Sequence, residues 1–527
     1  MSGGPPSGYA AAAPAGGVDA GVIVVDAGSY YTRIGLAGDD VPRLFPRSCV
    51  GERTDHSRAA ASHSNGAASN AGGAEYVYGD EIWMQSDALH DIRALDPMDS
   101  EGLCALLAAQ CAENKVDFEL ANKPLIMVEP SVYWDQDRRY NLVEIMFEQL
   151  DLPATFILRG AVGAAFSGAR GTALVLDIGH QAAVATPVLD GYSLLKNTIQ
   201  APHLGGRAMS EEIANALLRK LDPHNAQSGA RMDTTPSVPL PSSSGPQHAN
   251  EDDRVAKRAK VHESEDTQSK LEPAPQAISS TLPHESSRAH SASLFGGAAF
   301  HDLGKVIRMK ESARDIGRTE GWRSFMRQRM VDDIKMHVLR VPMDVVAAPG
   351  TGEPGLGSER DAVAAQDAAN GIQYELPDGQ VVTFSAAECD MAGQHLFQRA
   401  GDGGASTPLS SANGVHGMGL HEISHVAMRE CDVDARRELA MGVIVCGGGS
   451  QIPGLFTRLQ KELAILTPQM YKLRMLPPTI GVSGIEKASA AWIGGSILGS
   501  LGTFQQMWLS AQEYAEIGHN AVDRRFS

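Results

Sequence analysis

Cysteine is scarce in this chain and never closely paired. Cys49, Cys104, Cys111, Cys389, Cys431 and Cys446 are the six in 527 residues, and none forms a C-x-x-C pair. No small disulfide framework is visible, and the six read as reduced thiols of a cytosolic or nuclear protein. Long apolar runs are missing too. The stretch WIGGSILGSLGTF at 492–504 is too short and too glycine-rich to span a bilayer, so no membrane association is expected. The first residues, MSGGPPSGYAAAAPAGG, lack the basic start of a signal peptide. Positive charge is in deficit, with 45 Lys and Arg against 63 Asp and Glu, a formal net charge of −18. Such a surface repels nucleic-acid phosphates, so direct binding of DNA or RNA is not expected. It tolerates basic partners, although acidity is also the ordinary route to solubility.

What is present is a large amount of core-forming material. Apolar residues make up 43 % of a chain too long for a single core, so two lobes or more are expected. Residues 1–19 read as a flexible Ala/Gly/Pro tail, and 52–74, rich in Ser, Ala, Asn and Gly, as a mobile loop. Residues 222–300 are poor in large apolar side chains and read as a disordered insertion, and 346–371 as a second flexible one. The first insertion carries Arg254, Lys257, Arg258 and Lys260, a cluster that reads either as a nuclear import signal or as a solvated charge run. Between these segments the patterns predict a strand over 124–128 and helices over 140–149 and 209–221. A helix then a strand follow over 322–341, a hairpin over 374–384, a helix over 417–431 and a strand over 471–476.

The chain is organised around GVIVVDAGSYYTRIGLAG, residues 21–38. Val22, Ile23, Val24 and Val25 form a β-branched run that stops at Asp26-Ala27-Gly28-Ser29, after which Thr32, Ile34 and Leu36 alternate as a returning strand. A glycine at the tip lets a phosphate approach backbone N–H groups, Ser29 adds a hydroxyl, and Asp26 could hold water on a phosphate-bound Mg²⁺. Alone, the pattern reads first as a plain Asp-Gly hairpin and only second as a phosphate loop. Leu174-Val175-Leu176-Asp177-Ile178-Gly179 repeats it, and Val443-Ile444-Val445-Cys446 runs into Gly447-Gly448-Gly449. Two such hairpins and a glycine loop suggest two similar lobes facing each other across a nucleotide cleft. His421-Glu422-Ile423-Ser424-His425 matches the H-E-x-x-H pattern of zinc proteases. No third ligand follows at the required spacing, and a structural amphipathic helix is the expectation.

DAGSYYTRIGLAGDD, the second hairpin, GGGSQIPG, LHEISHVAMRECDVDARREL and above all WIGGSILGSLGTFQQMWLSAQEY resemble actin. The resemblance covers 20–50, 75–222, 301–345 and 371 to the end, and it accounts for His421-Glu422, since actin has a helix beginning His-Glu there. DAGSYYTR, the reworked 52–74 loop, the large insertion and the Trp322 segment look most like the actin-related protein 4 subfamily. Its members are nuclear actin-like subunits of chromatin-remodelling and histone acetyltransferase complexes.

The resemblance implies an α/β, two-lobed fold: duplicated ribonuclease-H-like, mixed five-stranded sheets with flanking helices around a nucleotide cleft. The first lobe would comprise 20–172 and 488–527 and the second 173–487. The implied cofactor is ATP with Mg²⁺. Asp26, Gly28, Ser29 and Arg33 would form the first phosphate loop, with Arg33 standing where actin has a lysine. Asp177 and Gly179 would form the second; Gly447, Gly448 and Gly449 would flank the nucleotide, and Lys335 matches a lysine near the adenosine. Asp26 and Asp177 would hold the metal through water.

The departures are His180 for the second carboxylate of the second loop, Gly160 for the glutamine that positions the attacking water, Met336 for a ribose-binding glutamate and Tyr30 for a glycine. Phosphoryl transfer rests on positioning and charge stabilisation, so no catalytic residue and no enzyme activity is expected. The implied partners are actin, a helical segment of a remodelling ATPase or scaffold subunit, and histones. That helix would lie in a groove lined by Phe166, Tyr192, Ile497, Leu498, Leu501, Thr503 and Met507, where Ile497, Leu498 and Leu501 recur at helical spacing. The implied location is the nucleus. Homopolymers are not expected, since 52–74 lacks the apolar contacts with which actin docks into its neighbour. The alternative from the enzyme class is a slow ATPase or filament-forming cytoskeletal actin-like protein.

Overall fold

The computed structural model describes residues 21–53, 75–79, 81–84, 89–95, 99–111, 120, 122–130, 136–222, 302–303, 306, 320–343, 371–397, 417–476 and 484–526. The expected tail at 1–19 and the basic cluster at 254–260 lie outside these residues. So do nearly all of 52–74, 222–300 and 346–371.

The chain opens with β1 (Ile23–Ala27) and β2 (Thr32–Leu36), an antiparallel hairpin in which Asp26 faces Arg33 across the ladder. β3 (Cys49–Arg53), β4 (Glu75–Tyr78) and β5 (Leu89–Ala94) form a small antiparallel sheet in the order β4-β3-β5. The helix α1 (Ser100–Gln110), β6 (Leu125–Glu129), helix α2 (Gln136–Glu148), β7 (Ala154–Arg159) and helix α3 (Gly160–Ser167) follow. β6 lies parallel to β1, and β7 parallel to β6. β16 (Leu509–Ser510), from near the end of the chain, completes a five-stranded sheet in the order β16-β7-β6-β1-β2.

The second half repeats the plan. β8 (Ala173–Ile178) and β9 (Ala183–Leu189) form the second hairpin. β10 (Tyr192–Ser193) and β11 (Ile199–Ala201) both pair with β9, and β14 (Val443–Cys446) runs parallel to β8 and to β15 (Met475–Leu476). This mixed sheet has six strands rather than five, because Ile199–Ala201 returns alongside β9. Its helices include α4 (Gly206–Leu221), α5 (Glu320–Val338) and α6 (Leu420–Arg429); α7 (Ala490–Ser500) then leads back to the first sheet. β12 (Ile372–Glu375) and β13 (Val381–Phe384) are the expected hairpin, turned at Gly379 with φ +87°. The strand expected after the Trp322 helix does not form: the Val341 N–H donates to Pro453 O at 2.9 Å instead of joining a ladder. The strand at 471–476 is confined to Met475 and Leu476, where β14 offers a partner.

Every residue of β1 is buried, and its alternation decides what covers each face. Ile23, Val25 and Ala27 pack with Leu103, Leu107, Leu142 and Met146 of α1 and α2. Val24 points the other way, into a cluster with Ala161 and Val162 of α3 and Trp492 and Ile493 of α7. β8 behaves alike: Leu174, Leu176 and Ile178 face the second core, while Ala173 and Val175 join that same α3–α7 cluster. The two helices are therefore a shared layer between the sheets. They cross at glycines: a Cβ on Gly494 would lie 1.8 Å from Gly163 O, and one on Gly163 would lie 2.5 Å from Ala491 O. The Trp492 indole N–H, fully buried, donates to Val24 O at 2.9 Å and ties α7 to β1. Among the described residues no helix is long and apolar enough to cross a membrane.

Candidate functional site: an interlobe cleft and an apolar groove

The tip of the first hairpin needs its glycine, since a Cβ at Gly28 would meet Tyr31 O at 2.6 Å. The Ser48 hydroxyl donates to Gly28 O at 2.6 Å and holds the turn. Asp26 and Arg33, opposite one another in the register, form a 2.8 Å ion pair. Burial pushes the Asp26 carboxyl up, and the Arg33 guanidinium offsets only part of that. Ser29 lies beside Tyr30 in the wall of a small cavity between the halves of the molecule.

The second hairpin turns at Gly179, whose N–H donates to Ala182 O at 3.0 Å. β14 sets Cys446 beside Asp177, and the Cys446 thiol feels both Asp177 and Asp26, so the two hairpin carboxylates flank the end of one strand. The glycine loop then lies hard against the second hairpin. A Cβ on Gly447 would be 2.4 Å from Asp177 Oδ1, and one on Gly449 would be 2.3 Å from Ile178 Cγ2; Gly448 alone faces open space. Asp26, Gly28, Ser29, Arg33, Asp177, Gly179 and Gly447 to Gly449 thus come from separate strands to one cleft.

Lys335 joins a buried polar group whose neighbour, Gly206, donates its N–H to Gly179 O of the second hairpin at 2.9 Å. The Lys335 ammonium donates to Asp332 Oδ1 at 3.0 Å, Ser210 Oγ at 2.7 Å and Gly206 O at 3.1 Å, all in the second half. Met336, next to it, is 79 % exposed. Asp332 is the centre of the group, and no motif in the sequence pointed to it. Burial raises its carboxyl, but Lys335 foremost, with His180 and Ser210, carries it below the usual carboxylate range. Its other oxygen accepts a 2.9 Å hydrogen bond from the Tyr30 hydroxyl, which in turn accepts one from Arg47 at 2.7 Å. Burial first, and the Asp332 charge second, push the Tyr30 phenol far up, so it stays protonated. His180 packs its ring 4.9 Å from Tyr30. Burial, with Lys335 next, pushes its imidazole down to about 4, so it is neutral at pH 7.

This arrangement does not fit a magnesium triphosphate. The Arg33 guanidinium is turned onto Asp26, Tyr30 lies across the space between the hairpins, and a neutral imidazole stands beside it. The cavity beside Tyr30 offers about 20 Å³, room for a water or so.

The H-E-x-x-H pattern has a structural account. Glu422 accepts the Gly419 N–H at 3.0 Å, capping α6, and His421 stacks on Phe397 at 5.9 Å. Among the described residues no group of three His, Cys, Asp or Glu could hold a metal ion.

At the far end of the shared layer, Phe166 of α3 and Ile497 and Leu498 of α7 are half-buried on one apolar cluster. Gly191 sits against the Phe166 ring, which places Tyr192, 72 % exposed, at its side. Leu501 and Met507 are each 47 % exposed, and Thr503 is exposed. The helical spacing does not extend to Leu501. α7 stops at Ser500, Leu501 is extended with φ −79° and ψ 124°, and the chain turns into a 3₁₀ segment, Gly502–Met507. The Ser500 hydroxyl takes the Ile497 carbonyl, one of those a further turn of helix would have used.

Two mixed sheets, each carrying a strand-Asp-x-Gly hairpin, set around a cleft and joined by crossing helices, define an actin-type α/β protein. The family profile described as Actin matches residues 17–269 and 301–527, and the chain belongs to the actin family. Nucleotide binding is a general property of that family. The chain is 27 % identical to an Actin-related protein 4 of Schizosaccharomyces pombe, covering 96 % of this chain and 97 % of the relative. It is 26 % identical to an Actin-related protein 4 of Oryza sativa subsp. japonica, covering 97 % and 99 %. It is also 26 % identical to the S. pombe protein named SWI/SNF and RSC complexes subunit arp42, covering 95 % and 96 %.

Proposed function

We propose that this protein is a non-enzymatic actin-related scaffold subunit of nuclear chromatin-remodelling or histone acetyltransferase complexes. It would bind a helical segment of the remodelling ATPase or scaffold subunit, with actin alongside, and would not polymerise with itself. The observation that carries this reading is the apolar surface at the end of the shared layer. Phe166, Ile497 and Leu498 are half-buried on one cluster, and Tyr192, Leu501 and Met507 are exposed; these residues would line a groove of the kind that accepts one face of an amphipathic helix. The full-length similarity to a protein named as a SWI/SNF and RSC subunit supports the class of complex.

The absence of turnover is part of the proposal. Gly160 has no side chain with which to orient a water, and His180 offers a neutral ring where a metal-holding carboxylate is needed. ATP with Mg²⁺ is the cofactor that the family resemblance implies; in the form described here Tyr30 and Arg33 stand on its ground, and it would be held only if both moved, and then not hydrolysed. The basic cluster from Arg254 to Lys260, outside the described residues, is proposed as the import signal.

The test is Leu501→Asp. A charge forced into an apolar contact costs several kcal/mol, enough to abolish a micromolar complex worth about 8 kcal/mol at ordinary working concentrations. Co-purification with the remodeller's helix should be lost while circular dichroism and Tm stay at wild-type values, since Leu501 is exposed in the free protein. A folded mutant that still binds the helix with wild-type affinity rejects the groove as the interface.

A further inference from the structure

α5 spans the cleft. Its first turns bury Trp322 and Phe325 among Cys49, Val77, Ile82 and Ile92 of the small β4-β3-β5 sheet and its neighbouring turn, a sheet that hangs from the first half of the molecule. Its later turns bury Met330, Val331, Ile334 and Val338 in the core of the second half. A 19-residue helix is about 28 Å long, so one rigid rod is anchored by apolar side chains on both sides of the opening. A polar layer lies between the two anchors. Asp332, on the same helix, is held by Lys335 and Ser210 from the second half and reached by Tyr30 from the first. The Arg47 guanidinium completes the layer, 4.7 Å over the Tyr30 ring and 5.8 Å from the Phe325 ring.

We propose that the chain fastens its own cleft shut: α5 and the Arg47–Tyr30–Asp332 chain of hydrogen bonds hold the closed form without a nucleotide, and the Tyr30 side chain occupies the ground that phosphates would need. The small cavity left beside Tyr30, walled by Ser29, Ser48, His180 and Gln328, is consistent with this. In an actin-type cleft a bound nucleotide can bridge the lobes. Here each end of the bridge is a side chain, so closure carries no dependence on ligand concentration. The fold is thereby suited to a subunit whose shape stays constant through a partner's nucleotide cycle, although the proposal stands on the cleft alone and does not rest on the partner groove.

The experiment uses the full chain, freed of nucleotide with apyrase and EDTA. Thermal melts are run with and without millimolar Mg-ATP, and amide exchange is followed in β3. The wild type is expected to melt within about 1 °C with or without ATP, because a ligand that gains no binding shifts nothing. Tyr30→Gly, which empties the ground and cuts the link, should exchange at least about tenfold faster in β3 and gain an ATP-dependent rise in Tm of several degrees. Tyr30→Phe keeps the ring but not the hydroxyl; it should show the faster exchange and no response to ATP. A wild-type rise of more than about 5 °C on adding Mg-ATP would overturn the proposal. So would a folded Tyr30→Gly protein as indifferent to ATP as the wild type, or a Tyr30→Phe protein with unchanged exchange in β3.

Discussion

Gly494→Ala is the smallest change that should part the two halves of this molecule. The new Cβ would stand 1.8 Å from the carbonyl oxygen of Gly163, with the Gly163 carbonyl carbon at 2.4 Å. Those atoms are backbone of a buried helix and cannot rotate away, so α3 and α7 must separate by more than an ångström. The layer they form is the one both sheets share, and the gap opens under Val24, Val175 and Trp492. Overpacking of a dense core costs about 1–3 kcal/mol where side chains can adjust, and a backbone clash lies at the top of that range. Displacing Trp492 puts its 2.9 Å bond to Val24 O at risk, which adds about 1 kcal/mol. A loss of about 3–4 kcal/mol corresponds to a fall in Tm of roughly 3–6 °C for a fold of this size. The groove should suffer with the core, because Phe166 closes α3 while Ile497 and Leu498 close α7. The control is Gly502→Ala, where the added Cβ meets nothing within 4 Å; it should melt with the wild type. Differential scanning calorimetry of both variants decides the matter. A Gly494→Ala protein melting within about 2 °C of wild type would show that the helix crossing is not the tight joint described here.

Stability should fall as the solution is acidified, through His180. Its folded value of about 4 lies below the ordinary 6.5, so the unfolded chain binds the extra proton between those limits; its contribution is complete above about pH 6.5 and lost toward pH 4, up to about 3 kcal/mol. Burial first, then Lys335, Arg207 and Arg47, hold the imidazole neutral and Asp332 opposes them; His180→Gln should flatten the difference between urea melts at about pH 7 and about pH 5, and an unchanged slope would count against the assignment. Single-turnover measurements with labelled ATP should show no phosphate release above background, whereas release matching that of filamentous actin would contradict the reading of Gly160 and His180.

The first hairpin, its repeat at Leu174–Gly179 and the glycine loop were all legible in the sequence, because a buried strand announces itself by a β-branched run and a tight turn by Gly. Local rules suffice there: the side chains that shape the element lie within a few residues of one another. The helix boundaries at Gly206–Leu221 and Leu420–Arg429 were close to their expected places for the same reason. Leu501 was not, since where α7 ends depends on Ser500 taking a carbonyl and on the turn that follows, not on apolar spacing. The site divides in the same way. Tyr30, Gly160 and His180 stood out against the actin pattern as single letters, but what they do together could not be read from them. Tyr30 and Asp332 are separated by 302 positions, and Arg47 and Phe325 carry no motif at all. Lys335 stood out as a match to a lysine near the adenosine, but its partners Asp332 and Ser210 did not. Sequence spacing determines which face of a strand or helix a residue occupies. Only the packing of α5 across both halves decided that a tyrosine, a buried carboxylate and an arginine would meet, because the free energy that aligns them comes from Trp322, Phe325, Val331 and Ile334 in two separate apolar cores.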